Sequence, residues 1–268
     1  YFEEAQTATP SLLISNRELF VLEDNTFRIP INTLGNPTVV FYKDGEVIAS
    51  ETIGSSTLSS GQIKYVSIYG DSVNWDTFQE RVLDANGDYE PNACLQSFFD
   101  NYSIGAVDKI TVSDSSGIQT IKVNVIEECK YEPKKVTFIN KFGALQDMYF
   151  FKKSKENLSI KKESYKSNIA LNYGGYNSTT HVNRDFNVIG NESISLSSGY
   201  LSEEYNEVFK QLLLSEKVWV TNILETGEQV LPINVKTSSI AYKTSVNDKL
   251  VDYTIEFDKS FDTINNIR

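Results

Sequence analysis

Between Ser198 and Phe261 the apolar positions change period once. In SSGYLSEEYNEVFKQLLLSEK, Tyr205, Val208, Phe209, Leu212 and Leu213 recur three and four residues apart, which puts them on one stripe of a helix. Ser202 is the expected N-cap, and Glu203 and Glu204 fall in the first turn, where the helix dipole favours acids; the predicted helix covers about 202–216. Four segments follow, VWVTNI, VLPINVK, SSIAYKT and LVDYTIEF, all rich in β-branched and aromatic residues. In the last of them Val251, Tyr253, Ile255 and Phe257 alternate with Asp252, Thr254, Glu256 and Asp258. That alternation predicts strands with one dry face and one wet face.

The first half reads as short strands. LLIS, LFVLE and FRIPI come first, then TVVFYKDGEVIAS, in which Lys43-Asp44-Gly45-Glu46 is the turn of a hairpin. GSSTLSSG is a loop, QIKYVSIY a further strand, and Trp75, Phe78, Val82 and Leu83 suggest a short helix near 75–84. KITVS and IQTIKVNVIE flank a second turn, Asp114-Ser115-Ser116-Gly117. ECKYEPKK is polar and holds Pro133, so a boundary is placed there. The expected organisation is mainly β: a β-sandwich-like domain over 1–129 and a second β domain with one amphipathic helix over 130–268. The segment 172–193, NYGGYNSTTHVNRDFNVIGNES, reads as a long loop or an extended hairpin.

Charge divides the chain at the same place. Residues 1–130 hold 19 acids and 8 bases and carry the whole net charge of −11, whereas 131–268 are balanced at 17 and 17. An acidic first half repels phosphate backbones, and the second half shows no sustained basic surface, so sequence-specific nucleic-acid binding is not expected. Lys152, Lys153, Lys155, Lys161, Lys162 and Lys166 form the one local exception. They suit a solvated strand edge, with an acidic neighbouring subunit as the functional alternative. No run of about 18 apolar residues occurs, so membrane insertion is not expected. The opening YFEEAQ, without Met or an apolar targeting run, reads as a processed or trimmed start.

Chemistry is sparse along this sequence. The single histidine, His181, lies in the Asn/Thr-rich segment, and no GxSxG motif or nucleotide-binding glycine pattern accompanies it. Cys94 and Cys129 stand at no metal spacing and read as buried thiols, with a disulfide between them as the alternative in an oxidising compartment. Asp84 to Glu90 resembles the start of a calcium loop, but Tyr89 stands where the turn glycine belongs and Leu95 where the bidentate glutamate belongs. No catalytic residue, metal or cofactor is expected. Abundant aromatics, Tyr173, Tyr176 and Trp75 among them, leave a carbohydrate-binding or adhesion protein as the second reading.

Three stretches carry a resemblance: KVTFINKFGALQDMYFFKKSKENLSIKKESYK, LSSGYLSEEYNEVFKQLLLSEKVWV and LPINVKTSSIAYKTSVNDKLVDYTIEFDKSFD. Together they resemble structural proteins of tailed bacteriophages and prophages of Bacteroidota, across roughly the second half of the chain. The order of strands, helix and strands is similar to the tail-tube fold of tube and distal tail proteins. The resemblance implies a virion tail component with no enzymatic activity, assembled in the bacterial host. It would close with copies of itself into a ring, commonly a hexamer, and contact other tail or baseplate proteins. The expected subunit contacts are the segment 172–193 and the strand around 147–153, with Tyr149, Phe150, Phe151, Tyr173, Tyr176, His181 and Phe186 as candidate interface residues.

Overall fold

A computed structural model describes residues 10–22, 27–53, 63–68, 73–75, 107–167, 179, 181–224, 227–241 and 250–264. Turn chemistry sets the first half. The strands are β1 (Glu18–Leu22), β2 (Phe27–Asn32), β3 (Thr38–Lys43), β4 (Glu46–Thr52), β5 (Ile63–Ile68), β6 (Val73–Trp75), β7 (Lys109–Asp114) and β8 (Gly117–Ile126). Asp44 and Gly45 both adopt positive φ, at 51° and 85°, the mirror-image turn that matches the twist of the β3–β4 hairpin. At the β7–β8 turn the Asp114 carboxylate accepts the backbone N–H groups of Ser116 and Gly117 at 2.7 and 3.1 Å.

These strands form a five-stranded sheet in the order β1-β8-β7-β3-β4, with β1 parallel to β8, and a three-stranded sheet β2-β5-β6. Leu19, Val21, Val39, Phe41, Ile110 and Val112 from the larger sheet share one core with Phe27, Ile29, Ile31 and Val66 from the smaller. The arrangement is a sandwich. LLIS does not form a strand; among the described residues its β contact is the bridge from Leu12 to Ile31. Trp75 ends β6 rather than beginning a helix, and 76–106 lies outside the described residues, as does the calcium-like loop at 84–90.

The second half contains β9 (Lys134–Ile139), β10 (Leu145–Phe150), β11 (Lys155–Lys166), β12 (Asn183–Ser197), β13 (Leu201–Ser202), α1 (Tyr205–Leu214), β14 (Val218–Leu224), β15 (Gly227–Val235), β16 (Leu250–Val251) and β17 (Thr254–Lys259). Seven strands make one sheet in the order β10-β9-β14-β15-β17-β12-β11. The expected stripe of α1 covers it: Tyr205, Val208, Phe209 and Leu212 are buried against Phe138, Ile194, Ile255 and Phe257. The Phe209 ring meets Tyr253 edge-on at 4.7 Å between centroids, and Phe150 meets Phe257 at 6.2 Å.

Four local expectations are corrected. The helix begins at Tyr205, with Glu204 at the N-cap and no side-chain cap bond; Ser202 lies in β13, because burying Leu201 and pairing β13 with β16 hold that segment extended. Ser238 to Ala241 form no strand. LVDYTIEF divides into β16 and β17 because Ser198 captures the backbone of Tyr253: its N–H donates to the Tyr253 carbonyl at 2.9 Å and its hydroxyl accepts the Tyr253 N–H at 3.1 Å. Cys129, expected to be buried, is exposed with a free thiol, since the polar junction carries it outside both cores.

Strand β10 ties the halves together. It is buried at all six positions, and side chains alternate across a strand, so Met148 and Phe150 enter the helix-covered core while Tyr149 and Phe151 enter the sandwich core. Asp147 shares the sandwich-facing side. Its carboxylate accepts Nε and Nη2 of Arg28 at 2.8 and 2.5 Å, the backbone N–H of Arg28 at 3.1 Å, and the Thr137 hydroxyl at 2.7 Å. Nearby, Asn140 donates to the Leu13 carbonyl at 2.7 Å, and the Tyr65 hydroxyl accepts the Leu145 N–H at 3.1 Å.

Burial alone would raise the Asp147 pKa, but the Arg28 guanidinium, Lys135 and the Thr137 hydroxyl outweigh it and hold the carboxyl below its ordinary value. Replacing Asp147 with Ala leaves a buried guanidinium uncompensated and is expected to cost about 3–5 kcal/mol, read by urea denaturation. A folded-state pKa below the unfolded one gives stability that is complete above about pH 4 and lost as pH falls through the folded value. The denaturation midpoints of the native chain and of Asp147→Asn are therefore expected to converge as the solution is acidified below about pH 4.

Candidate assembly surface

The sequence KENLSIKKESYK has no apolar alternation strong enough to bury a face, and β11 is exposed at all twelve positions. Among the described residues its only strand partner is β12. From Lys155 opposite Ser195 to Lys166 opposite Asn183, the two strands form an antiparallel arm of which only the Ser193–Ser197 end of β12 also pairs with β17. The register slips between Lys161 and Glu163, where β12 carries one extra residue beside Asn187 at φ 51°. This bulge twists the outer part of the arm.

Specific contacts hold the arm at its base. Gly190 and Thr263 exchange backbone hydrogen bonds at 2.8 Å, and a Cβ on Gly190 would stand 3.1 Å from Leu158 Cδ1 and 3.3 Å from the Thr263 carbonyl oxygen. Any side chain at this position would have to push Leu158 or the Thr263 carbonyl aside by a few tenths of an ångström. Glu192 accepts the Lys259 ammonium and, at 2.9 Å, the Thr263 hydroxyl, and both bonds lower its pKa. Further out, Lys162 pairs with Asp185 at 2.8 Å and Tyr165 meets Phe186 edge-on at 5.7 Å between centroids. Arg184 Nε donates to the His181 carbonyl at 3.3 Å.

Leu158 and Ile160 stand opposite Glu192 and Gly190, on the same face of the sheet as the buried Ile194. They continue the core face beyond the reach of α1 and are 58% and 60% exposed. Phe261 and Ile264, on either side of Thr263, are exposed too. An apolar stripe flanked by lysines at an open sheet edge is the kind of surface a protein partner covers.

The candidate interface residues separate into three groups. Tyr149, Phe150 and Phe151 are not on a subunit surface: at 2%, 0% and 4% exposure they fill the two cores of this chain. Tyr173 and Tyr176 lie outside the described residues. His181 and Phe186 are exposed, His181 just before β12 and Phe186 on it. The residues missed were Leu158, Ile160 and Tyr165; the signal for the first two was their two-residue spacing within an otherwise polar run. The lysine-rich stretch was read as a strand edge, and β11 is the last strand of its sheet.

Elsewhere an open cleft between the halves is lined by Ile14, Arg17, Gln119, Lys141 and Glu207, and Lys141 pairs there with Glu207 at 3.3 Å. Among the described residues no group of three or more metal-ligating side chains converges, and no helix is long and apolar enough to cross a membrane.

Gly190→Val forces Leu158 or the Thr263 backbone away from the arm base. Amide hydrogen exchange across Ser159–Lys161 is expected to accelerate at least about tenfold while the global denaturation midpoint stays close to that of the native chain, because the arm is a local opening unit. No family model, curated protein or solved structure matches the chain.

Proposed function

We propose that this chain is a structural protein of a bacteriophage tail, acting in the tube, distal tail or baseplate, and that copies of it join through their sheets into a ring. The observation that carries the reading is β11: a twelve-residue strand exposed at every position, open along its outer edge among the described residues, with an uncovered apolar stripe beside it. An isolated two-stranded ribbon is marginal in water, so a long one is best explained by a surface that completes it. The resemblance of the second half to tail proteins supplies the occupant class. Assembly of this kind needs edges, not nucleophiles or metals, and the work done by the site is burial and backbone pairing.

The test is mass by light scattering together with negative-stain images over a range of concentrations. Closed rings with a fixed subunit count are expected from the intact chain. Removing 161–189 and joining Ile160 to Gly190 through Asn-Gly should give a folded monomer that no longer assembles, since the core strands and α1 are untouched. Rings from the shortened chain, or a strict monomer from the intact one, overturn the reading.

A further inference from the structure

The same molecule carries two open sheet edges of opposite charge. β4 ends the five-stranded sheet and β11 ends the seven-stranded sheet, and among the described residues no strand pairs with the outer edge of either. The charged residues of β4 are Glu46 and Glu51; those of β11 are Lys155, Lys161, Lys162 and Lys166 against Glu156 and Glu163. Lys162 is paired within the arm, whereas Lys155, Lys161, Lys166, Glu46 and Glu51 make no ion pair among the described residues. Each edge therefore presents a net charge, negative on β4 and positive on β11.

We infer that the partner of the β11 edge is the β4 edge of a second copy of this chain. This rests on the ring reading above and names its contact. Lysines on a sheet edge normally prevent pairing altogether. Here the other open edge carries only acids, and the seven residues of β4 fit within the twelve of β11. Lysines outnumber glutamates on β11, so two β11 edges bring net positive charge together, and two β4 edges bring Glu46 and Glu51 together. The unlike pair brings net charges of opposite sign together. An interface between two different surfaces is heterologous and propagates head to tail, which is what a ring requires. The placement of the edges agrees, since β10 and β1 pack against each other where the halves meet, which leaves β4 and β11 as the far ends of the two large sheets.

The experiment uses two full-length variants. One carries Lys155→Glu, Lys161→Glu and Lys166→Glu; the other carries Glu46→Lys and Glu51→Lys. All five positions lie on edge strands outside the cores, and circular dichroism with thermal midpoints establishes that each variant folds. Each alone is expected to lose assembly, because its two edges then carry the same sign. An equimolar mixture is expected to regain it, with the variants alternating and an even number of subunits, because each variant's β4 then meets the opposite sign on the other's β11. Assembly of the native chain should weaken as salt is raised. Assembly by either variant alone, or a mixture that stays monomeric, overturns the β4–β11 contact while leaving the ring itself in place. A native chain that never assembles overturns the ring reading and this contact with it.

Discussion

The buried ion pair between Arg28 and Asp147 is the constraint on which the rest of the molecule depends. Two strands from opposite halves, β2 and β10, meet there, and both are buried at every position. A charge can be held in such a place only if each of its polar atoms finds a partner, and Asp147 accepts from the guanidinium, the Arg28 backbone and Thr137 at once. The surrounding bonds, from Asn140 to the Leu13 carbonyl and from Leu145 to the Tyr65 hydroxyl, are directional as well. Apolar contact alone would tolerate sliding of one half over the other. A seam of hydrogen bonds with fixed geometry favours one arrangement of the two halves.

That seam decides which edges remain available. The large sheet has two ends, and β10 is consumed at the join, with Tyr149 and Phe151 inserted into the sandwich core. On the sandwich side β1 lies against β10, and its Phe20 packs on the helix-covered core and meets Tyr205 at 5.7 Å between ring centroids. The ends that stay open, β4 and β11, are consequently as far along the strand order from the join as each sheet allows. The distribution of surface follows from the packing of the interior.

Much of this was legible in the chain wherever the determinant is local. The Asp44-Gly45 turn, the Asp114 turn and the stripe of α1 depend on residues within a few positions of one another, and each formed as expected. The mainly β class followed from the same patterns. What could not be read is what depends on distant partners. DMYFFKK looks the same whether its aromatics meet another subunit or two cores of their own chain, and the residue that decides, Arg28, lies 119 positions away from Asp147. Ser202 has good cap chemistry, but the pairing of Leu201 with Val251, fifty residues on, keeps it in a strand. The lysine-rich edge was visible in outline, whereas the segment 172–193, read as a loop or an extended hairpin of its own, runs from Asn183 as the strand β12 paired with that edge, and 172–178 lie outside the described residues. Leu158 and Ile160 were not singled out, because their exposure depends on how far α1 reaches across the sheet.

The arm differs from an unstructured tail in the cost of using it. A segment that orders only on contact loses conformational freedom of roughly 1–2 kcal/mol per residue at the moment of binding. In this structure the arm is already extended, with β11 paired to β12 from Lys155 to Lys166. Glu192 and Thr263 fasten the base, Leu158 sits over Gly190, and the Lys162–Asp185 and Tyr165–Phe186 pairs lock the two strands to each other beyond the bulge. An edge offered in extended form, with its backbone groups already aligned, needs only a matching strand to extend the sheet. On the proposed assembly, the small contacts along the arm, individually worth little, would keep β11 ready to pair.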